Sequence, residues 1–327
     1  MCFPTPSLVC LLFVAVIDTL TLISLSTTTS ENYFFNLPIT CELWYRRSGA
    51  RCVVQILAVS NADLASERTQ LVMRTLRASE ALFRLHAYVV HAPAPTSTPL
   101  SQLARLYVSL FDDFDALPDA LITTADVDMW PVDTNFSLPD RSMPRNFVKV
   151  ADAHCCSEWS PSANGRYAAV REVAMHGVTT SAARWRVLLG FETFGQRPIA
   201  ANSTGGYKQF LDDILRQHRL LFNFDPVKHK ITHGSALWNM DQRRISGILS
   251  ALPLTDIVRM RRRPEQRLES HWPITRFGAH TIDIHIYASH FSALRGWTRN
   301  RELLVQLLPV ASVVNIDAFV AAWRTIG

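Results

Sequence analysis

Hydrophobic and polar positions along the chain fall into the two periods that separate strands from helices. Residues 51–59 (Arg-Cys-Val-Val-Gln-Ile-Leu-Ala-Val) form an apolar run bounded by Ser60-Asn61 and predict a buried strand. Residues 62–85, rich in Leu, Arg, Glu and Ala, predict a helix, and residues 87–90 a second strand ending at His91. The Pro-rich residues 92–99 read as a loop, after which Leu103, Leu106, Tyr107, Leu110, Phe111 and Phe114 recur at helical spacing. A third strand starts at Leu121. Strands separated by helices predict a mostly parallel sheet with right-handed crossovers, in which ligands sit at the carboxyl ends of the strands.

Further along, Trp238, Ile245, Ile248, Leu249 and Leu252 form a helical stripe with Asp241 on it. Strict alternation over residues 280–287 puts Ile282, Ile284 and Ile286 on one face and Thr281, Asp283, His285 and Tyr287 on the other, the pattern of a half-buried strand. Residues 300–323 predict an amphipathic helix broken at Pro309 and packed on the outside of the domain. At the other end, residues 8–25 form a hydrophobic stretch interrupted by Asp18. They are just long enough to span a bilayer, although an Asp in the span costs about 2.5 to 3.5 kcal/mol. Residues 8–17 also have the length of a signal-peptide core. The expected organisation is therefore a signal anchor or signal peptide over residues 1–26, a short stem over 27–48 and a single α/β domain over 49–327.

Length and composition restrict the function classes. A chain of 327 residues that is 48% hydrophobic has ample material for a core. The net charge of +5 and the short run Arg-Met-Arg-Arg-Arg at residues 259–263 do not imply nucleic acid, whereas a phosphate-bearing ligand fits them as well. No Gly-x-Gly-x-x-Gly follows the first strand and no Walker-type loop is present, so a dinucleotide fold and a P-loop enzyme lack their phosphate cradles. The absence of a CxxC pair and of HExxH disfavours a zinc finger and a zincin. Either form of the N-terminus sends the chain into the secretory pathway. There Asn135 and Asn202 head usable glycosylation sequons, and Cys41 and Cys52, which flank a short basic turn, are placed to form a bridge.

The chemistry concentrates in Leu121-Ile-Thr-Thr-Ala-Asp126-Val-Asp128-Met-Trp130-Pro, where a strand ends in carboxylates on alternate residues. On extended backbone both would leave one face and meet one cation, and hard oxygen donors suit Mg²⁺ or Mn²⁺, which keep substrate phosphates and water as further ligands. His285 can complete an Asp126, Asp128, His285 set. Asp241 reads either as a helix cap or as a general base.

The first strand without a glycine fingerprint, the Arg-bearing helix around Arg105, the Asp126-Val-Asp128 segment, Trp238 with Asp241-Gln242, and Asp283-x-His285 together resemble the GT-A glycosyltransferases over about residues 50–290. The resemblance implies a Rossmann-like α/β fold and sugar transfer from a nucleotide-sugar donor to a glycan, glycoprotein or glycolipid. In it, Asp126, Asp128 and His285 would hold Mn²⁺ or Mg²⁺. Ser60, Asn61, Arg105 and Asp126 would bind the donor, and Trp238 and Gln242 the acceptor. Asp241 would face the acceptor: as its base it gives an inverting reaction, the preferred expectation, and if it only binds the acceptor a retaining course is open. It also implies a type II membrane protein with its catalytic domain in the Golgi or ER lumen. The alternatives are a lumenal nucleotide-sugar or glycan-binding scaffold of the same fold, and a phosphohydrolase drawing on Asp112, Asp113 and Asp115.

Overall fold

The computed structural model describes residues 19–29, 31–90, 94–140, 143–144, 146–151, 159–160, 170–171, 176–190, 209, 216, 240–269, 273–286 and 296–326. Four strands, β1 (Thr21–Thr28), β2 (Arg51–Ala58), β3 (Leu82–Val89) and β4 (Leu121–Thr124), lie parallel in the order β4-β1-β2-β3. After β4 the chain turns into β5 (Met129–Pro131) and then β6 (Val148–Val150). A two-residue antiparallel pair follows, β7 (Trp159–Ser160) with β8 (Val170–Arg171). Next come β9 (Val178–Ser181) and β10 (Ile257–Arg259), which complete a seven-stranded sheet ordered β10-β6-β9-β4-β1-β2-β3. Only β9 runs against its neighbours. A second sheet, β11 (Arg267–Glu269), β12 (Asp283–His285) and β5, has β11 parallel and β5 antiparallel to β12.

Helices cover both faces of the large sheet, as the expected α/β architecture requires. They are α1 (Glu31–Phe34), α2 (Leu37–Ser48), α3 (Asn61–Ala65), α4 (Glu67–Arg77), α5 (Ala94–Ala104), α6 (Thr134–Ser137), α7 (Ala182–Leu188), α8 (Met240–Ser250), α9 (Trp297–Leu307) and α10 (Val310–Thr325). The two-residue period of the strands divides the core between these layers. Leu22, Val53 and Leu57 pack with Leu100 and Leu103 of α5, Trp185 of α7 and Ile245 of α8. Ile23, Leu25, Val54 and Ile56 pack with Leu43 of α2, Val72 of α4, Leu304 of α9 and Phe319 of α10. Each such aliphatic side chain, fully withdrawn from water, contributes about 1.5–3 kcal/mol. Pro309 caps α10 and separates it from α9, and both helices bury one apolar side, as the C-terminal pattern predicts.

Several sequence-based boundaries are corrected. The apolar run at the N-terminus does not end before the domain: residues 21–28 are the central strand β1, hydrogen-bonded to both β2 and β4, and α2 lies within the residues expected to be a stem. A boundary at residue 49 would remove the middle of the sheet. Residues 1–18 lie outside the described residues, and among those described no helix is long and apolar enough to cross a membrane. The helix expected over residues 62–85 ends at Arg77, and Leu82 onward is β3, because pairing with β2 outweighs the helix-forming composition of the segment. Residues 94–99, expected in a loop, belong to α5, where Leu100, Leu103 and Ala104 bury against β1 and β2. Cys41 and Cys52 are buried free thiols, and Cys155 and Cys156 lie outside the described residues. Burial and the neighbouring Cys52 push the Cys41 thiol well up, so it is an inert core group in this structure.

Gly177 carries the entry into β9. Its φ is +82°, its amide donates to the Thr124 carbonyl at 2.6 Å, and an added Cβ would lie 2.5 Å from Cβ of Ala151. Gly177→Ala is expected to cost about 2–3 kcal/mol, from left-handed backbone and overpacking together, measured by urea denaturation. A loss below about 0.5 kcal/mol would show that the β9 corner relaxes freely.

Candidate functional site

Because β1 to β4 are parallel, their carboxyl ends form one rim. At the end of β2, Ser60 caps α3: its hydroxyl accepts from the Asp63 amide at 3.1 Å and donates to the Asp63 carboxylate at 2.8 Å. Asn61 is exposed as the first residue of that helix. At the end of β4 the last link to β1 is the Ala125 amide on the Ser24 carbonyl at 3.1 Å. The chain then turns. The Met129 amide donates to the Asp126 carbonyl at 3.2 Å, and the Thr40 hydroxyl of α2 holds the Val127 carbonyl at 2.6 Å.

That turn overturns the expected common face for the paired carboxylates. Alternate residues share a side only on extended backbone, and residues 126–128 are not extended. Asp126 and Asp128 therefore head two separate ionic chains. In the first, the Asp126 carboxylate meets the guanidinium of Arg105, which also grips Asp241 through its Nε and Nη2. The second oxygen of Asp126 is 3.6 Å from Nδ1 of His176. His176 Nε2 is 3.7 Å from Asp283 and 3.4 Å from the Arg267 guanidinium. Asp283 in turn is bound by Arg262 and, at 3.2 Å, by Arg267.

The second chain is shorter. His285 Nε2 lies 3.3 Å from the Asp128 carboxylate, and His285 Nδ1 lies 2.9 Å from Glu269. The small sheet builds it: β12 pairs with β5, whose first residue follows Asp128, and the Ile286 amide donates to the Asp128 carbonyl at 2.7 Å. Register then sets Glu269 beside His285 on β11.

Charge follows this geometry. Burial raises the Asp126 carboxyl, but Arg105 and His176 outweigh it and hold the group well below the usual carboxylate range. Burial pushes Asp241 upward against the pull of Arg105. Burial opposes the charge on Arg105, yet its two carboxylates raise its pKa. For His285 burial favours the neutral ring, but hydrogen bonds to Asp128 and Glu269 raise it to about 10, so the metal-free protein holds a cation there.

The expected roles divide accordingly. Asp241 is corrected: with 1% of its side chain exposed, one oxygen on Arg105 and the other accepting from the Gln242 amide at 2.8 Å, it is a buried ion-pair partner and not a base facing an acceptor. Arg105, 7% exposed, is an interior strut that orients Asp126, so its expected contact with a donor is corrected as well. Gln242 is half-buried beside Asp241, while Trp238, Tyr287 and His290 lie outside the described residues. Among the described residues no group of three or more His, Cys, Asp and Glu side chains is placed to hold an ion, so Asp126, Asp128 and His285 do not form a single three-ligand set. Asp128 and His285 do fit an ion. Two ligands at about 2.1 Å from an octahedral ion stand about 3.0 Å apart, close to the observed 3.3 Å, and a histidine bound through one ring nitrogen usually donates the other to a carboxylate such as Glu269. Asp113 and Asp115 are tied to Arg84 at 3.1 Å and Arg186 at 2.7 Å and offer no second metal site, which removes the support for a phosphohydrolase.

Glu269, His176 and Arg267 were not singled out by sequence reasoning, and Arg262 was read only as part of a basic run. The one signal for Glu269 was the alternation Arg267-Leu268-Glu269, too short to stand out from a loop. No family model matches the chain, and no curated protein matches it. Among solved structures the chain is similar to the galactosyltransferase LgtC, determined in complex with donor and acceptor sugar analogs. The two are 11% identical, the match covers 90% of this chain and 100% of that one, and the TM-score is 0.44.

Proposed function

We propose that this protein is a glycosyltransferase that uses Mn²⁺ or Mg²⁺ to move a sugar from a nucleoside-diphosphate donor to a hydroxyl of a glycan or glycoconjugate. The observation that carries the reading is the Asp128–His285 pair at the carboxyl rim of a mostly parallel sheet, where such sheets bind ligands. A divalent ion bound there supplies positive charge against the departing diphosphate. Asp128 and His285 Nε2 would be its protein ligands. Asp126, 31% exposed and held ionised by Arg105, presents a fixed carboxylate to the same rim, and Ser60 and Asn61 border it from β2. Because Asp241 is occupied, the deprotonation of the acceptor is not assigned to it. A lumenal, membrane-linked setting belongs to the same reading and is supported by the apolar residues 8–17 ahead of β1.

The test is a panel of nucleotide sugars incubated with the purified protein, with and without Mn²⁺, read as release of nucleoside diphosphate. Release from at least one donor, dependent on Mn²⁺ or Mg²⁺, is expected. Tight binding of Mn²⁺ and nucleoside diphosphate with no release from any donor would favour a non-catalytic binding protein. Failure to bind either would remove the proposal.

A further inference from the structure

We propose that Glu269 is the positioning residue of the metal pair, an inference that rests on the reading of Asp128 and His285 as ion ligands. An imidazole can present either nitrogen to an ion, and which one it presents is fixed by what holds the other. Here Glu269 accepts from His285 Nδ1 at 2.9 Å, which leaves Nε2, the nitrogen that faces Asp128, as the one that can lose its proton and offer a lone pair to an ion. Because Nδ1 and Nε2 point to opposite sides of the ring, Glu269 cannot share an ion bound at Nε2. Its contribution is orientation of the ring.

The strand that carries Glu269 is built for this task. Residues of β11 pair one to one with β12, Arg267 beside Asp283 and Glu269 beside His285. Each side chain takes the partner of opposite character: Arg267 binds the Asp283 carboxylate and Glu269 the His285 ring. Leu268, on the other face and 1% exposed, is set into the core with Ile284 and Trp130, so β11 cannot slide by one residue without exposing a leucine and burying both charges. With side-chain exposures of 17% and 26%, Glu269 and His285 meet in a partly desolvated site, where a charge-assisted hydrogen bond is strong.

Two variants of similar side-chain volume test the assignment, read by Mn²⁺ titration with electron paramagnetic resonance, which counts free aqueous Mn²⁺ and needs no turnover. Glu269→Met removes the acceptor and is expected to weaken Mn²⁺ binding about 10- to 100-fold. Glu269→Gln keeps an oxygen that accepts from Nδ1 and is expected to stay within about threefold of wild type. Unchanged Mn²⁺ affinity in Glu269→Met overturns the proposal. A drop of more than about tenfold in Glu269→Gln overturns it as well, and that result is decisive even should the Met variant not fold. A wild-type protein that binds no Mn²⁺ overturns the metal reading and this inference together. A wild type that binds Mn²⁺ and a Met variant that binds it equally well sink Glu269 alone.

Discussion

Arg105→Met is expected to destabilise the protein by about 3–5 kcal/mol, the largest effect of any single substitution in the site. The change removes the cation that pairs with Asp241, a carboxylate only 1% exposed, and leaves that charge buried and uncompensated. It also releases Asp126 from the group that most strongly lowers its pKa. For a domain of this size such a loss corresponds to a melting temperature lower by roughly 5–7 °C. Replacing both partners, Arg105→Met with Asp241→Leu, is expected to recover most of the stability, because an apolar pair has no desolvation cost to meet. Urea denaturation of the two single variants and the double variant measures the coupling directly. If either single variant loses less than about 1 kcal/mol, the ion pair is not the strut described here.

Asp128→Asn is expected to lower metal-stimulated donor turnover about 10²- to 10³-fold, the scale on which removal of an electrostatic stabiliser usually acts. The amide keeps the shape of the side chain and His285 keeps Glu269, so the melting temperature of the metal-free protein is expected to fall by only about 2–4 °C, as for a loss of about 1–3 kcal/mol. Treatment of the wild type with a chelator should reproduce the loss, and added Mn²⁺ should reverse it in the wild type only. Turnover in Asp128→Asn at the wild-type rate, with the same Mn²⁺ dependence, would show that the ion is held elsewhere. The two substitutions act at different depths: Arg105→Met removes structural support behind the rim, and Asp128→Asn removes the ligand proposed on it.

The sequence pattern located β2 and β4 closely, and the half-buried alternation around His285 coincides with β12. It misjudged β1 because Leu20, Leu22, Ile23 and Leu25 continue the hydropathy of residues 8–17, and hydropathy alone does not separate the start of a buried strand from the end of a membrane segment. Asp18 marked the division: residues after it, Thr21-Leu-Ile-Ser-Leu-Ser-Thr-Thr, are rich in β-branched and apolar types, and their Ser24 hydroxyl finds the Arg105 carbonyl at 2.7 Å. The helix extrapolated through residue 85 failed for a related reason. Leu, Arg, Ala and His are tolerated in helix and strand alike, and the ladder to β2 decided between them.

At the site, the residue types were readable and their pairing was not. Asp126, Asp128, Asp241, Arg105 and His285 all stand at the rim or directly beneath it, which chemistry-bearing residues at strand and helix ends foretold. Their division into two chains depended on a turn at residues 126–128, closed by a backbone hydrogen bond and by Thr40 from a helix that lies 87 positions away from Val127. Asp241 illustrates the difference best: its place on an apolar helical stripe was correctly read as inward, but inward meant a partner 136 positions earlier in the chain and not an acceptor.

What the sequence determined by itself is therefore the class of the fold and the kind of chemistry available, since hydrophobic period and residue type are local properties carried by each segment. What only the tertiary structure decided is which carboxylate belongs to which cation of the protein, Asp126 and Asp241 to Arg105, Asp128 and Glu269 to His285. That choice depends on distances between segments such as 105 and 241, or 128, 269 and 285, which no local pattern encodes and which the packing of two sheets on one turn sets.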